Sequence, residues 1–170
     1  MAKRFLILAA AALTLWGCGY GFSGTVSYLP EQIKTVAVPF MTNRTGEPNL
    51  EVTLTQAVIK EFNRSKLLKL TKAARADTIF NGTILSLSEG AVAYEDVRTA
   101  LQRRVTIKVS AELVGRVDNT IYWKNVSVSE GQDYDVATDP SATEVNRKKA
   151  ISTLTKNLAE KIHDSIFENF

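Results

Sequence analysis

The sequence predicts an α+β fold: a two-layer sandwich in which two helices pack on a mostly antiparallel four-stranded sheet, in the order β-α-β-β-β-α. Three observations lead to this prediction. One stretch alternates strictly between apolar and polar residues, as a strand with one buried face does. Two other stretches carry apolar residues every three or four positions, as amphipathic helices do. Helices of that kind and a sheet with one dry face cover each other in a two-layer sandwich.

The clearest strand runs from Arg103 to Gly115. Its apolar members are Val105, Ile107, Val109, Ala111 and Leu113, and its polar members are Arg104, Thr106, Lys108, Ser110 and Glu112. Alternation over this length is typical of an antiparallel sheet that has one face on the core and one face in water.

Three further strands are predicted at residues 33–40, 77–88 and 121–130. In the first, Val36, Val38 and Phe40 fall on one face, and Pro39 lacks the N–H that a central strand needs. The pattern of the second changes phase after Ile84, which indicates a bulge or two buried faces. The alternating pattern of the third strand slips near Lys124-Asn125.

The other segments are predicted as connections. They are a polar turn at 41–48, a basic connector with room for a short strand at 66–75, a hairpin connection at 90–101 with strand character at 91–97, a turn at 117–119 and a polar loop at 131–140.

Two helices complete the prediction. The first has Pro48 in its first turn and runs to about Asn63, with the apolar stripe Leu50, Leu54, Ala57, Val58 and Phe62. The second starts at Ser141-Ala142-Thr143-Glu144, which matches a capping box, and runs to about Phe167. Its stripe is Ile151, Leu154, Leu158, Ile162 and Ile166. The first helix links two strands that are parallel if they are adjacent.

The N-terminus has the layout of an export signal. Lys3 and Arg4 precede an apolar run over residues 5–15, and Trp16, the small residue Gly17 and Cys18 follow it. The run is too short to cross a bilayer as a helix, which takes ~20 residues. Leu15-Trp16-Gly17-Cys18 resembles a bacterial lipobox, although Trp16 replaces the usual small or aliphatic residue. The alternative is an ordinary signal peptide followed by an incidental cysteine.

The lipobox resemblance implies cleavage before Cys18, which then carries lipid on its sulfur and its amino group. Several acyl chains make a durable anchor, whereas one holds only marginally. Gly19 stands where inner-membrane lipoproteins carry Asp, which implies transport to the outer membrane. We therefore expect a signal peptide at 1–17, a lipidated tether at 18–31 and a single α+β domain at 32–170.

The charge and residue composition disfavour several function classes. The whole chain has 21 basic and 18 acidic residues, and loss of Lys3 and Arg4 leaves a nearly neutral protein, which is a weak candidate for nucleic-acid binding. His163 is the only histidine and Cys18 the only cysteine, so a nitrogen–sulfur metal site or a Ser–His pair has few residues to draw on. We therefore expect no catalytic residue, no metal and no cofactor besides the covalent lipid. An enzyme with a hidden carboxylate site is the third alternative.

Basic residues provide the candidate binding site. Arg98, Arg103, Arg104 and Lys108 lie in and before the clearest strand, and arginine and lysine bind phosphates well. A second basic group, Lys66, Lys69, Lys72 and Arg75, lies in the connector. The alternative is that these residues only keep a sheet face and a loop soluble.

Several motifs resemble those of the LptE family of lipopolysaccharide-assembly lipoproteins. They are Cys18-Gly19-Tyr20-Gly21-Phe22, Leu29-Pro30, Ile33-Lys34-Thr35-Val36-Ala37-Val38-Pro39-Phe40, Asn43-Arg44-Thr45-Gly46-Glu47-Pro48, Ala76-Asp77 and Ala93-Tyr94. The resemblance implies a two-helix, four-stranded domain anchored in the outer membrane on its periplasmic side. It also implies a partner: the family plugs the large β-barrel LptD, assists its assembly and contacts lipopolysaccharide. On chemistry alone, Arg98, Arg103, Arg104 and Lys108 are the candidate lipopolysaccharide contacts.

A strand–NRTG–helix–strand opening also resembles lipoproteins that activate peptidoglycan synthases and related secretion-channel lipoproteins. Those proteins would bind a synthase or form a ring, and would not plug a barrel. A long disordered Pro-rich tether after the cysteine would favour the resemblance to synthase activators. Only about a dozen residues separate Cys18 from the first predicted strand, which favours the LptE resemblance.

Overall fold

A computed structural model describes residues 29–94 and 100–167. The predicted signal peptide, Cys18 and Arg98 lie outside these residues. The described elements are β1 (Thr35–Ala37), β2 (Thr42–Asn43), α1 (Leu50–Ser65), β3 (Lys69–Leu70), a short 3₁₀ helix (Ala73–Arg75), β4 (Thr78–Tyr94), β5 (Ala100–Gly115), β6 (Ile121–Asp135) and α2 (Pro140–Phe167). Neither α-helix in this part of the chain is both long enough and apolar enough to cross a membrane.

The predicted α+β class is confirmed, but the sheet contains six strands within the described residues and not four. Its order is β3-β1-β4-β5-β6, with β2 beside β4. β1 is parallel to β3 and β4, whereas β4, β5 and β6 form an antiparallel meander. β3 lies in the basic connector at 66–75, where the sequence leaves room for a short strand. β2 lies in the segment predicted as a turn, because two paired residues are too few to produce a period in the sequence.

The first strand is shorter than predicted. β1 ends at Ala37, and Phe40 is 72% exposed instead of lying on the buried face with Val36. Pro39 follows two residues after the strand end, as expected of a residue without a ladder donor. Val36 itself is fully buried between β3 and β4.

The three long strands carry the predicted irregularities. A register shift between Ile84 and Ser86 confirms the bulge in β4, and beyond it Leu87 is the residue paired with Ile107. A second shift, where Val128 and Asn125 pair with Val109 and Ala111, lies at the predicted slip in β6. The prediction of a loop at 131–140 is wrong in its first half, since β6 continues to Asp135. Its polar residues pair with the equally polar start of β5, so no apolar pattern marks the strand.

Both helices cover the same face of the sheet. Leu54, Phe62, Phe80, Leu113 and Leu154 are fully buried at this interface. Both predicted apolar stripes therefore face the core, apart from Ala57, which is only half-buried.

The start of α2 differs from the predicted capping box. The helix begins at Pro140, and the carboxylate of Asp139 accepts a hydrogen bond from the Ser141 backbone N–H at 3.0 Å. Asp139 therefore caps the helix in place of Ser141, and proline occupies the first helical position, where a missing N–H costs nothing.

β6 forms one edge of the sheet and β3 the other, and side chains of α2 bind two carbonyl groups of β6. Lys161 Nζ donates to Ser129 O at 2.9 Å, and Asn146 Nδ2 donates to Asp135 O at 3.0 Å. Val136 N donates inward to Leu101 O, so by ladder alternation the carbonyls of Ser129 and Asp135 point away from β5. Two outward acceptors of the edge strand are thus already satisfied within the domain.

Candidate docking face of the sheet

The sheet face opposite the helices is broad and polar, and we call it the open face. The alternation predicted for β5 is confirmed, because its apolar set is buried and its polar set is exposed or half-buried. Strand register extends this face over β4 and β6. Its polar members are Asn81, Thr83, Ser86, Ser88, Arg104, Thr106, Lys108, Ser110, Glu112, Lys124, Ser129 and Asp133.

Most charges on the open face are paired with each other. Arg104 binds both carboxylate oxygens of Asp133, with Nε–Oδ1 at 2.6 Å and Nη2–Oδ2 at 2.8 Å. The hydrogen bond from Arg104 holds the pKa of Asp133 below its ordinary value. Lys124 lies 3.1 Å from Glu112 across the same strand pair. Lys108 forms no ion pair or hydrogen bond through its side chain within residues 29–94 and 100–167, so it is available for an external anion.

The structure separates the four basic residues selected from the sequence. Arg104 and Lys108 share the open face, four residues apart on β5 and so roughly 13 Å from each other. Arg103 points to the helix side, directly opposite Tyr134 of β6. Arg98 is outside the described residues. The sequence contained the signal for this split, since Arg103 lies two positions from the buried Val105.

A network of charged residues that sequence reasoning missed supports the far half of the long strands. Arg147 of α2 binds Glu47 in the loop before α1, with Nη2–Oε2 at 2.5 Å, and Glu89 of β4, with Nε–Oε1 at 2.7 Å. The hydroxyl of Tyr134 in β6 also donates to Glu89 at 2.6 Å. One guanidinium thus joins the second helix, the loop before the first helix and two strands.

Burial and hydrogen bonding shift pKa values in opposite directions within this network. The hydrogen bond with Glu47 raises the pKa of Arg147 further above its ordinary range, against the effect of burial. Burial alone would raise the pKa of Glu89, but hydrogen bonds from Tyr134 and Arg147 outweigh it and leave that pKa below its ordinary value. Both groups are therefore charged near neutral pH.

The Asn43–Pro48 motif forms the loop that presents Glu47 to Arg147. The Asn43 side-chain amide donates to Glu47 O and to Glu51 Oε2, both at 2.8 Å. Its Oδ1 accepts the backbone N–H and the hydroxyl of Thr45, at 2.9 and 2.8 Å. This is an Asx-type turn in which the oxygen of the Asn43 side chain binds Thr45 and its nitrogen binds Glu47 and Glu51, and these bonds fix the path of the chain. The motif is accordingly structural in the described domain.

His163 is a packing residue of α2. It is 6% exposed, and its ring centroid lies 5.6 Å from that of Phe62 and 4.7 Å from that of Phe167. Its Nε2 has no hydrogen-bond partner among the described residues, and Nδ1 lies 3.3 Å from Asp164. Within the same residues, no group of three or more His, Cys, Asp or Glu side chains is placed to hold a metal ion.

The family model described as "LptE: Lipopolysaccharide-assembly" matches residues 33–166, which include the six described strands, α1 and all of α2 except its last residue. The chain belongs to the LptE family. It is therefore a lipopolysaccharide-assembly lipoprotein, and the family is not one of enzymes. The resemblance read from the motifs is confirmed. No curated protein matches the chain significantly in sequence.

Solved structures share the fold at low identity. An uncharacterized lipoprotein B from Nitrosomonas europaea is similar with a TM-score of 0.55 and 13% identity, covering 88% of this chain and 90% of that one. The rare lipoprotein B from Shewanella oneidensis has a TM-score of 0.54 and 12% identity, covering 74% and 92%. A PelC dodecamer from Paraburkholderia phytofirmans has a TM-score of 0.51 and 14% identity, covering 79% and 89%. At these identities the likeness concerns the fold alone.

Replacing Arg147 with Met should destabilise the domain by about 2–3 kcal/mol, because two half-buried carboxylates lose their shared cation. Urea unfolding at neutral pH measures this change. Lys148→Met is the matched control: that lysine is 71% exposed and pairs only weakly with Glu144, so we expect less than about 0.5 kcal/mol. Equal effects of the two substitutions would contradict the role assigned to Arg147.

Proposed function

We propose that this LptE-family protein is held at the periplasmic side of the outer membrane by lipid on Cys18, plugs the LptD β-barrel, assists its assembly and contacts lipopolysaccharide. Family membership supports a role in lipopolysaccharide assembly. The observation that carries the finer proposal is the open face: a polar surface on three long strands that no helix covers.

The chemistry of the open face suits the inner wall of a large barrel. Strands β4, β5 and β6 contain 17, 16 and 15 residues, and so extend roughly 50 Å each. The lumen of a large barrel is polar and wet, in contrast to its lipid-facing side. A surface of hydroxyls, amides and paired charges can meet such a wall directly or through bridging water, without burying unpaired charge.

The same face offers cations for the phosphates of lipopolysaccharide. Lys108 is available at once, whereas Arg104 must give up or share its bidentate pair with Asp133. We therefore rank Lys108 before Arg104 as a phosphate contact. Arg103 faces the other side of the sheet beside Tyr134, so a contact at Arg103 would require a separate approach of the ligand. Arg98 stays a candidate on its chemistry alone.

The alternative functions are binding to a peptidoglycan synthase and formation of a secretion-channel ring. The likeness to a PelC dodecamer is one of fold and does not transfer the ring to this chain. The family match favours lipopolysaccharide assembly. The identity of the co-purified partner decides among barrel plugging, synthase binding and ring formation.

Replacing Cys18 with Ala should release the protein from membranes, because several acyl chains are the proposed anchor and each buried methylene contributes about 0.8 kcal/mol. The measurement is fractionation of cells with radioactive palmitate labelling. The unsubstituted chain should label and stay with outer membranes. Labelling of the Cys18→Ala variant would exclude lipidation at this cysteine.

A tagged chain should co-purify a large β-barrel protein in equal amount from mildly solubilised outer membranes, as identified by mass. The double substitution Lys108→Glu and Ser110→Glu should abolish this, because it places two negative charges on the open face. Lys156→Glu with Ser152→Glu is the matched control on exposed positions of α2. Loss of the barrel in the control but not in the open-face variant would place the interface on the helices. Recovery of a synthase, or of a ring of this chain, would favour the alternatives.

Lys108→Gln should weaken binding of purified lipopolysaccharide about fivefold, which corresponds to ~1 kcal/mol for one lost charge-assisted contact. Arg104→Gln should have a smaller effect, since Asp133 already neutralises that guanidinium. Lys149→Gln, an exposed lysine of α2, is the control and should leave binding unchanged. If all three variants bind equally, the phosphates are contacted elsewhere.

A further inference from the structure

One end of the sheet combines exposed apolar side chains with lysines, and it is the end at which the described chain begins. Here β1, β3, β4 and β6 start and β5 ends, as the register shows. We call it the chain-entry end. Its exposed members are Lys34, Lys66, Leu67, Lys69, Arg116, Val117 and Ile121.

Backbone hydrogen bonds fix these residues in one row. Lys69 N donates to Lys34 O at 2.9 Å, and Arg116 N donates to Asp77 O at 2.9 Å. The carboxylate of Asp77 joins the two pairs by accepting the backbone N–H of Lys34 at 3.1 Å. At the spacing of neighbouring strands, the row from β3 to β6 is roughly 20 Å wide.

The apolar members of the chain-entry end protrude from it. Val117, in the turn after β5, is 78% exposed, Ile121 is 54% exposed and Leu67 is 44% exposed. No hydrophobic cluster of the described residues includes any of the three.

The charge balance at this end favours an anionic partner. The side chains of Lys34, Lys66 and Lys69 form no ion pair within the described ranges and are exposed, so they present their charge to solvent. The acids there are Glu31, Asp77 and Asp118, so the four cations Lys34, Lys66, Lys69 and Arg116 exceed them by one. Asp77 and Asp118 stay charged but are held in place by hydrogen bonds from Thr35 and Thr120. Lysines beside protruding aliphatic side chains are the combination that binds the interface of an anionic bilayer.

We propose that the chain-entry end rests on the surface of an anionic phospholipid membrane. The proposal rests in part on the lipid anchor at Cys18. Eleven positions separate Cys18 from Leu29, so the tether spans at most ~40 Å even when fully extended. The end of the domain that the tether reaches first is therefore the end with the lysines and the protruding Val117. Before the domain enters a barrel, binding would hold it at the membrane surface with the long strands upright and the open face free.

The test uses the mature chain without lipid, carrying Cys18→Ser, with vesicles of phosphatidylethanolamine and phosphatidylglycerol. We expect co-sedimentation that weakens with salt and is absent on neutral phosphatidylcholine vesicles. The triple substitution Lys34→Gln, Lys66→Gln and Lys69→Gln should lower binding roughly 100-fold, at about fivefold for each lysine near an anionic surface. The matched triple Lys60→Gln, Lys149→Gln and Lys156→Gln removes the same charge elsewhere and should bind as the parent does.

A fluorescence readout tests the orientation. Val117→Trp should shift its emission to the blue on anionic vesicles, and Val145→Trp, 66% exposed near the start of α2 at the opposite end, should not. Absence of vesicle binding, equal loss in the two triple variants, or a blue shift at Val145 alone would overturn the proposal. No barrel and no anchor is present in this assay, so its failure leaves the pull-down and palmitate results to decide the proposed function separately.

Discussion

The far half of the long strands depends on one contact, the double ion pair of Arg147. The near half of the sheet is stabilised by both helices, through a core that includes Phe62, Phe80 and Leu154. The far half extends toward residues 94 and 100 with few apolar side chains. Arg147 joins this half to α2 through Glu89 and to the loop before α1 through Glu47. A guanidinium does this well because its planar donors serve two carboxylates at once.

The open face depends on that support and on the bulges. A register shift of one residue moves a side chain to the other side of a sheet. The shift after Ile84 brings Leu87 into line with Ile107 and leaves Ser86 beside Lys108 on the open side. Without it, the apolar and polar residues of β4 would exchange faces beyond that point. The polar character of the open face therefore comes from the bulge in β4 as much as from the alternation in β5.

The sequence predicted those parts of the fold that local burial imposes. The stripes of both helices and the alternation of β5 follow from one-sided burial, which repeats at a fixed period. Short or polar strands such as β2 and the end of β6 carry no such period, and only their pairing reveals them. The Arg147 network joins residues as many as 100 positions apart, which no local pattern can predict. Among the site candidates, alternation was sufficient to place Arg104 and Lys108 on one face, but not to show that Asp133 already pairs with Arg104.

The occupied carbonyls of β6 have a consequence for the proposed role beside an assembling barrel. Unpaired strands of an incomplete β-barrel bind any free sheet edge, and a fifteen-residue edge strand would be a ready template for them. Lys161 and Asn146 take two of the acceptors that an incoming strand would need. In the proposed role, these two contacts remove pairing positions that a nascent strand would need on this part of β6. Contacts through side chains would remain open to such a partner, and they can form and release without breaking a β-ladder.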